Sequence, residues 1–468
     1  MMWNFSRPDS VAFIEDTGAS ITYAGLAEAA ADIAGRIPPR SLVFSLCANT
    51  IGSAAGYVGF LSHRIVPLLL NNKLEPSLLQ SLIDTYKPAY LWAPAGMKDG
   101  CVGETVYERL GYALIKTMFT ESYPLHEDLA LLLTTSGSTG SPKLVRQSYK
   151  NIEANTRSIV KYLKIDETER PITTLPMNYT YGLSIINSHI YAGATILLTD
   201  TPIVMKGFWT FFKQQQATSF GGVPYTYEML DKMRFLRMEL PSLKTMTQAG
   251  GKLSVELHKK FADYADEKGV RFVVMYGATE ATARMSYLPH ENTVEKYGSI
   301  GIAIPGGRFY VIGDDGFPVT QPGEAGELVY EGDNVTLGYA ECGEDLIRGD
   351  ERFGRLETGD LAKFDEEGYY YIVGRKKRFL KIFGNRVNLD EVERMIKLDF
   401  VQTDCACAGQ DDSMYVFITD TDMEAPVARM LTEKTGLNRA AFNIITLSAI
   451  PRNDAGKTLY SELQSYYE

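Results

Sequence analysis

From Leu131 the chain reads LLLTTSGSTGSPK, an apolar run that opens into a loop of Thr, Ser and Gly and closes on Pro142-Lys143. Such a loop offers backbone N–H groups, hydroxyls and one cation, the groups that hold a polyphosphate. Composition alone favours a flexible Ser/Gly linker. The preceding run DLALLLTT (128–135) argues the other way, because it has the character of a core strand that delivers the loop to a fixed place. A P-loop would need Gly-x4-Gly-Lys-Ser/Thr, which is absent here; the GKT at 456–458 has Pro451 where the first Gly belongs. Three further stretches carry groups that complement a nucleotide. VMYGATEAT (274–282) offers Tyr276, whose ring can stack on a base, and Glu280, whose hard oxygen can ligate Mg²⁺. In LETGDLAKF (356–364), Asp360 can accept from both hydroxyls of a ribose. IPRNDAGKTLY (450–460) presents Lys457 in a polar turn.

The elements that must position these groups alternate in type. SLVFSL (41–46), RIVPLLL (64–70), ATILLT (194–199) and RFVVMYG (271–277) read as buried strands, with helix-like stretches such as GSAAGYVGFL (52–61) between them. That alternation predicts a large layered α/β domain over 1–374. From about Gly298 the glycines crowd together, and short strands separated by turns predict a β-rich part over 298–374. After the basic stretch GRKKRFLK, Asn388 stands three residues before Glu391 as a helix-start box, and 375–468 is expected to form a small α+β domain. A net charge of -11 argues against non-specific binding to nucleic acid. The N-terminus lacks the basic-then-apolar order of a signal peptide, and no run approaches the ~18 apolar residues of a membrane span. The five cysteines show no zinc spacing. Cys405 and Cys407 would share one face of a strand as buried small residues. A reducing cytoplasm is the expected compartment.

In their order along the chain, these stretches resemble the ANL superfamily of adenylate-forming enzymes: acyl- and aryl-CoA synthetases, amino-acid-adenylating domains and luciferases. The likeness runs from Thr22, in ITYAGL, to Lys457. One such motif would be weak, but four in order are not. The resemblance implies an acid–thiol ligase that uses ATP and Mg²⁺, forms acyl-AMP with release of pyrophosphate, and then transfers the acyl group to a thiol. It implies that Thr135, Ser136, Gly137, Ser138, Thr139, Gly140 and Lys143 grip the β- and γ-phosphates. Gly250 and Gly251, in QAGGKL, would pass the adenine, with Tyr276 stacking on it beside Gly277. Thr279 would touch the α-phosphate, Glu280 would hold Mg²⁺, and Asp360 and Arg375 would bind the ribose hydroxyls. Lys457 would reach between carboxylate and α-phosphate. Lys377 falls at the family's hinge, about which the small domain is expected to be mobile.

The acid is less legible. Amino-acid-adenylating relatives carry an Asp in a Phe-Asp-x-Ser stretch; the counterpart here is LPMNYTYGLS (175–184), with Gly182 at that position. Many acyl-CoA synthetases have a His after an aromatic there, where this chain has Asn178-Tyr179. The resemblance puts Tyr179, Gly182, Gly221, Gly222 and Arg284 around the acyl group, with Gly221 and Gly222 leaving space. Arg284 would pair either with a distal carboxylate, hydroxyl or phosphate of the substrate or with a structural Asp or Glu. No carrier domain is expected after Lys457, so the acceptor would be CoA or the phosphopantetheine of a separate carrier protein. A non-catalytic adenylate-binding relative would be expected to lack Lys457, Glu280 or Asp360, and all three are present. An ATP phosphotransferase of the kinase type would release ADP instead, and the missing P-loop spacing speaks against it. The oligomeric state is left open, with a homodimer among the options.

Overall fold

Leu42–Cys47, Val66–Asn71 and Leu129–Thr134 carry almost no polar side chain, the signature of strands buried on both faces. In the computed structural model they form the parallel centre of an eight-stranded sheet. The structure describes residues 3–100, 103–119, 123–134, 143–382, 385–410, 413–452 and 458–467. Tyr90–Pro94 adds a further parallel strand, and Tyr112–Lys116 and Glu104–Arg109 complete that edge antiparallel. On the other side Leu144–Ser148 runs antiparallel to Leu129–Thr134, and Gly338–Ala340 pairs beyond it. The Ser/Gly loop therefore links two neighbouring strands.

A second sheet is built from Ser219–Gly222, Thr245–Gln248 and Arg271–Tyr276 in parallel, then Ser286–Tyr287 and Ile302–Ala303 antiparallel. The helix Thr180–Ala192 is buried over nearly its whole length and ends on Gly193 at φ 78°. The helix Tyr149–Leu163 starts directly from a strand, because Ser148 accepts from the Asn151 N–H while the Asn151 side chain caps the Ser148 N–H. This is the mixed, layered α/β architecture expected from the alternation of runs.

The chain divides into two compact units. One holds the described residues of 1–135, 141–309 and 330–356; the other holds those of 310–329 and 357–468. The second unit thus starts ahead of residue 375, for a local reason. Asp360 to Phe364 pair antiparallel with Tyr370 to Arg375, Gly323 donates to the Phe364 carbonyl, and Lys376 pairs with Glu327 at 2.8 Å. Further along, the hairpin Cys405–Gln410 and Ser413–Ile418 takes Phe442–Thr446 as a third, parallel strand. Asn388 caps the helix Leu389–Asp399 by accepting from the Asp390 N–H, while Glu391 turns outward to Arg394, so the predicted box is only half made. Cys405 and Cys407 lie in the core, and burial pushes the Cys405 thiol up to about 12.

A buried charged knot holds this unit together. Arg378 bonds Asp390 and, at 2.6 Å, Glu393; it lies 4.0 Å from the centre of the Tyr460 ring, whose hydroxyl donates back to Glu393 at 3.1 Å. Glu393→Ala should destabilise the unit by about 3–5 kcal/mol, because Arg378 would be left buried with half its counter-charge. Chemical denaturation of the intact protein measures this.

Two buried histidines in the first unit make stability depend on pH. His189 Nδ1 lies 2.8 Å from the Ile185 carbonyl oxygen, and His258 Nδ1 accepts from the Gly298 N–H at 3.0 Å. Burial lowers both imidazoles to about 4. The unfolded chain binds these protons first, so the stability is present above pH ~6.5 and is lost as pH falls towards 4, at roughly 3 kcal/mol per group. His258→Gln, which does not titrate, should flatten that slope in a series of unfolding curves.

Candidate active site

Between Tyr276 and Arg284 the chain folds sharply back on itself. Gly277 is required there, since any Cβ would overlap the Ala283 carbonyl oxygen. A single 3-10 turn, Thr279–Ala281, is followed by Thr282 at φ 65°, ψ -58°, with Ala283 N–H donating to the Ala281 carbonyl at 2.7 Å. That is the rarer, strained hand of the γ-turn, on a β-branched residue that avoids positive φ. Polar side chains hold it in place. The Thr282 hydroxyl donates to the Asn334 carbonyl at 2.7 Å, and its own carbonyl accepts from the Thr180 hydroxyl. The Asn334 amide donates to the Ala281 and Arg284 carbonyls at 2.9 and 3.0 Å, and the Asn155 amide reaches Arg284 at 2.8 Å. The chain then re-enters the sheet at Ser286–Tyr287.

This turn presents Glu280. Its carboxylate accepts from the Tyr339 hydroxyl at 2.7 Å, and its carbonyl accepts from the Thr336 N–H at 3.0 Å and the Thr336 hydroxyl at 2.9 Å. Lys143 Nζ lies 4.0 Å and the Arg352 guanidinium 4.6 Å from the centre of the Tyr339 ring. Lys143 also meets Glu341 at 3.2 Å. Burial, then the neighbouring Glu280 carboxylate, push the Tyr339 phenol up to about 12, so it remains a donor throughout the physiological range. Glu280 beside two cations, one of them also paired with Glu341, suits a polyphosphate with its divalent ion. Mg²⁺ takes one or two carboxylates and draws its other ligands from phosphates and water. Glu280 fits that role, being a single hard carboxylate oriented by the Tyr339 hydroxyl.

Around this centre Thr279 is buried, its carbonyl accepting from Gln147 at 3.4 Å, and Tyr276 is half-buried with its ring 6.4 Å from Phe309. Gly250, at φ 84°, lies beneath the Tyr179 hydroxyl, 2.6 Å from where a Cβ would be, and Gly251 faces Pro224. The acyl side differs from expectation. A Cβ at Gly221 would lie 2.8 Å from the Tyr181 hydroxyl, and one at Gly222 would lie 2.9 Å from Thr226. These glycines admit the neighbouring Tyr181 and Thr226 side chains at close range, so the room their missing side chains leave is taken by those groups. Gly182 lies in a helix against the Pro176 carbonyl, where a Cβ would overlap. Arg284 is 2% exposed, and the structural Asp or Glu considered for it is not there: no carboxylate among the described residues lies within ion-pair distance.

In the second unit Arg375 Nε lies 3.3 Å from Asp360 Oδ1, across the hairpin that pairs the two residues. Asp360 follows Gly359 at φ 71°, and its N–H donates to the Thr358 hydroxyl at 3.1 Å. Thr135, Ser136, Gly137, Ser138, Thr139, Gly140, Lys457 and the side chain of Lys377 lie outside the described residues. The segment carrying Lys457 is closed at its base by the bridge between Arg452 and Thr458 and by Leu459 N–H donating to the Pro451 carbonyl at 2.9 Å. Sequence reasoning missed Tyr339, Arg352 and Asn334. They lie more than fifty residues beyond Glu280, in a Gly-rich stretch whose spacing says nothing about that partner.

Comparison with known proteins identifies the family. The family model "AMP-binding enzyme" matches residues 3–340. Feruloyl-CoA synthase from Amycolatopsis sp is 30% identical over 275 residues, covering 57% of this chain and 53% of that protein. The chain therefore spans about half the length of that relative. Medium-chain fatty-acid–CoA ligase from Escherichia coli (strain K12) is 25% identical over 498 residues, covering 97% of this chain and 87% of the ligase. The solved o-succinylbenzoate CoA synthetase of Bacillus subtilis, in complex with its acyl-adenylate intermediate, superposes with a TM-score of 0.79 at 22% identity, covering 98% of this chain and 96% of that one. The chain belongs to the AMP-binding enzyme family, within the ANL superfamily of adenylate-forming enzymes.

Tyr339→Phe removes the hydroxyl that orients Glu280 and should weaken binding of MgATP by about tenfold, equivalent to ~1.4 kcal/mol. Titration calorimetry with MgATP measures the change.

Proposed function

We propose that the protein is an ATP-dependent acid–thiol ligase, which joins a small carboxylic acid to AMP with release of pyrophosphate and then passes the acyl group to CoA. The observation that carries this reading is the strained turn that fixes Glu280 against Tyr339, with Lys143 and Arg352 on the same ring. A carboxylate is a poor acyl donor because oxide is a poor leaving group. Exchanging oxide for AMP solves that problem, but an anion must then attack a polyanion. One cation about 4 Å from the developing charge is worth ~4 kcal/mol at an effective dielectric near 20, or roughly a thousandfold in rate. Mg²⁺, when held by Glu280, neutralises phosphate charge and eases departure of pyrophosphate.

The remaining assignments belong to this reading. Thr279 takes the α-phosphate, and the loop from Thr135 to Lys143 takes the other two. Gly250, Gly251 and Tyr276 take the adenine, and Asp360 with Arg375 takes the ribose. Lys457 serves acyl-AMP formation, and Lys377 is the hinge about which residues 375–468 move between the two half-reactions. The relatives' names support CoA as acceptor; a carrier-protein thiol is the other acceptor to test. The cytoplasm is the proposed compartment. Cys47, Cys342, Cys405 and Cys407 are all free thiols, and no described helix is long and apolar enough to cross a membrane.

Acid-dependent ATP–pyrophosphate exchange across a panel of acids, followed by CoA addition, tests the reaction. AMP and pyrophosphate are expected as products, and ADP would overturn the reading. Lys457→Ala should lower exchange by about a thousandfold while thiol capture of pre-formed acyl-AMP survives; equal loss of both half-reactions would remove its assignment to the first.

A further inference from the structure

Arg284 is a buried cation whose partners among the described residues are all neutral. Nε and Nη2 both point at the Ser184 hydroxyl, at 3.2 and 2.9 Å, and Nη1 reaches the Tyr162 hydroxyl at 3.3 Å and the Met275 sulfur. Its guanidinium carbon lies 4.4 Å from the centre of the Tyr181 ring. Hydroxyls and a π-face soften the burial of a guanidinium, but they do not neutralise it. Arg284 lines an internal cavity of about 30 Å³ together with Ile185, Ser188, Gly221 and Thr247. The single acidic residue lining that cavity, Glu169, already has a cation of its own, with Arg271 at 3.5 Å, and also accepts from Thr218. Among the described residues, the cavity therefore holds one ion pair and one cation with no carboxylate in ion-pair reach. The field of Arg284 also reaches His189, where it adds to burial in keeping the imidazole neutral.

We propose that Arg284 receives a second carboxylate of the substrate, and hence that the acid activated is a compact dicarboxylic acid. This rests on the ligase reading above. Arg284 follows Glu280 by four residues, and the clamped turn carries both, so one end of the acid would lie at the phosphate site and the other at the guanidinium. A carboxylate suits this position better than a hydroxyl, because neutral oxygens already surround the group and only an anion adds what is lacking. Compactness follows from Tyr181 and Tyr179, whose hydroxyls occupy the space over Gly221 and Gly250.

The test is ATP–pyrophosphate exchange by the unmodified protein with short dicarboxylic acids, each paired with its monomethyl ester and with the monocarboxylic acid of equal length. The dicarboxylic acid is expected to win by about a hundredfold in kcat/KM. Arg284→Leu should remove that preference, and Arg284→Lys should retain part of it. If that variant fails to fold, the comparison on the unmodified protein decides alone. Robust exchange with the monocarboxylic partners and none of the expected preference overturns the proposal while leaving the ligase reading intact. No exchange with any acid, alongside ADP formation, overturns both.

Discussion

The site depends on one strained residue. Thr282 adopts a backbone conformation that a β-branched side chain avoids, at a cost on the order of 1–3 kcal/mol, and it persists because the surroundings over-determine it. Thr180, Gln147, Asn155 and Asn334 come from four separate parts of the first unit, and each satisfies a backbone or side-chain group of residues 281–284. Without the turn, Glu280 and Arg284 would follow the strand direction and could not be presented from one short segment. Asn334 matters most, since its amide bonds two carbonyls on either side of Thr282 and its own carbonyl holds the Thr282 hydroxyl. The Tyr330 hydroxyl in turn donates to Asn334 at 2.8 Å, which fixes the amide's orientation from the core side.

Electrostatics then builds outward from that turn. Tyr339 lies in a strand paired with Leu144–Ser148, so the strand that follows the Ser/Gly loop also sets where the phenol stands. Arg146, on that same strand and buried, bonds the Tyr339 and Leu337 carbonyls and pairs with Glu351, so that a structural cation fixes the backbone while Lys143 and Arg352 lie against the Tyr339 ring. Buried Arg146 and buried Arg284 make a useful contrast. The first has a carboxylate and four carbonyl contacts, and its role is fully accounted for within the fold. Among the described residues the second has neither.

What the sequence made legible follows from where interactions are local. The central strands were readable because burial on both faces excludes polar residues, and Leu42–Cys47 and Val66–Asn71 obey that rule. Residue type alone singled out Glu280, four residues beyond the strand ending at Tyr276, and Asp360, inside the strand Arg355–Phe364. The partners were not. Tyr339, Arg352 and Asn334 reach the turn only through sheet pairing and long-range side-chain bonds. Glycine was the most misleading residue: Gly221 and Gly222 invite a reading of open space, yet whether a missing side chain leaves a void depends on what lies opposite, and here Tyr181 and Thr226 lie there. The extent of the second unit was hidden for a similar reason. A Gly-rich run predicts strands but not their partners, and the hairpin ending at Arg375 associates with residues 310–329.

The charged knot in the second unit links two distant stretches of chain. Arg378, next to Lys377 in the chain, is tied to Asp390 and Glu393 on one helix and lies against the ring of Tyr460, three residues after Lys457. Charged groups this deeply buried tolerate little displacement, because separation of either partner exposes an uncompensated charge to a medium of low polarity. The knot therefore ties the chain just after residue 377 to the chain just after residue 457 as a single body. Under the hinge reading proposed above, a rotation about Lys377 carries Thr458, Leu459 and Tyr460 along with Arg378.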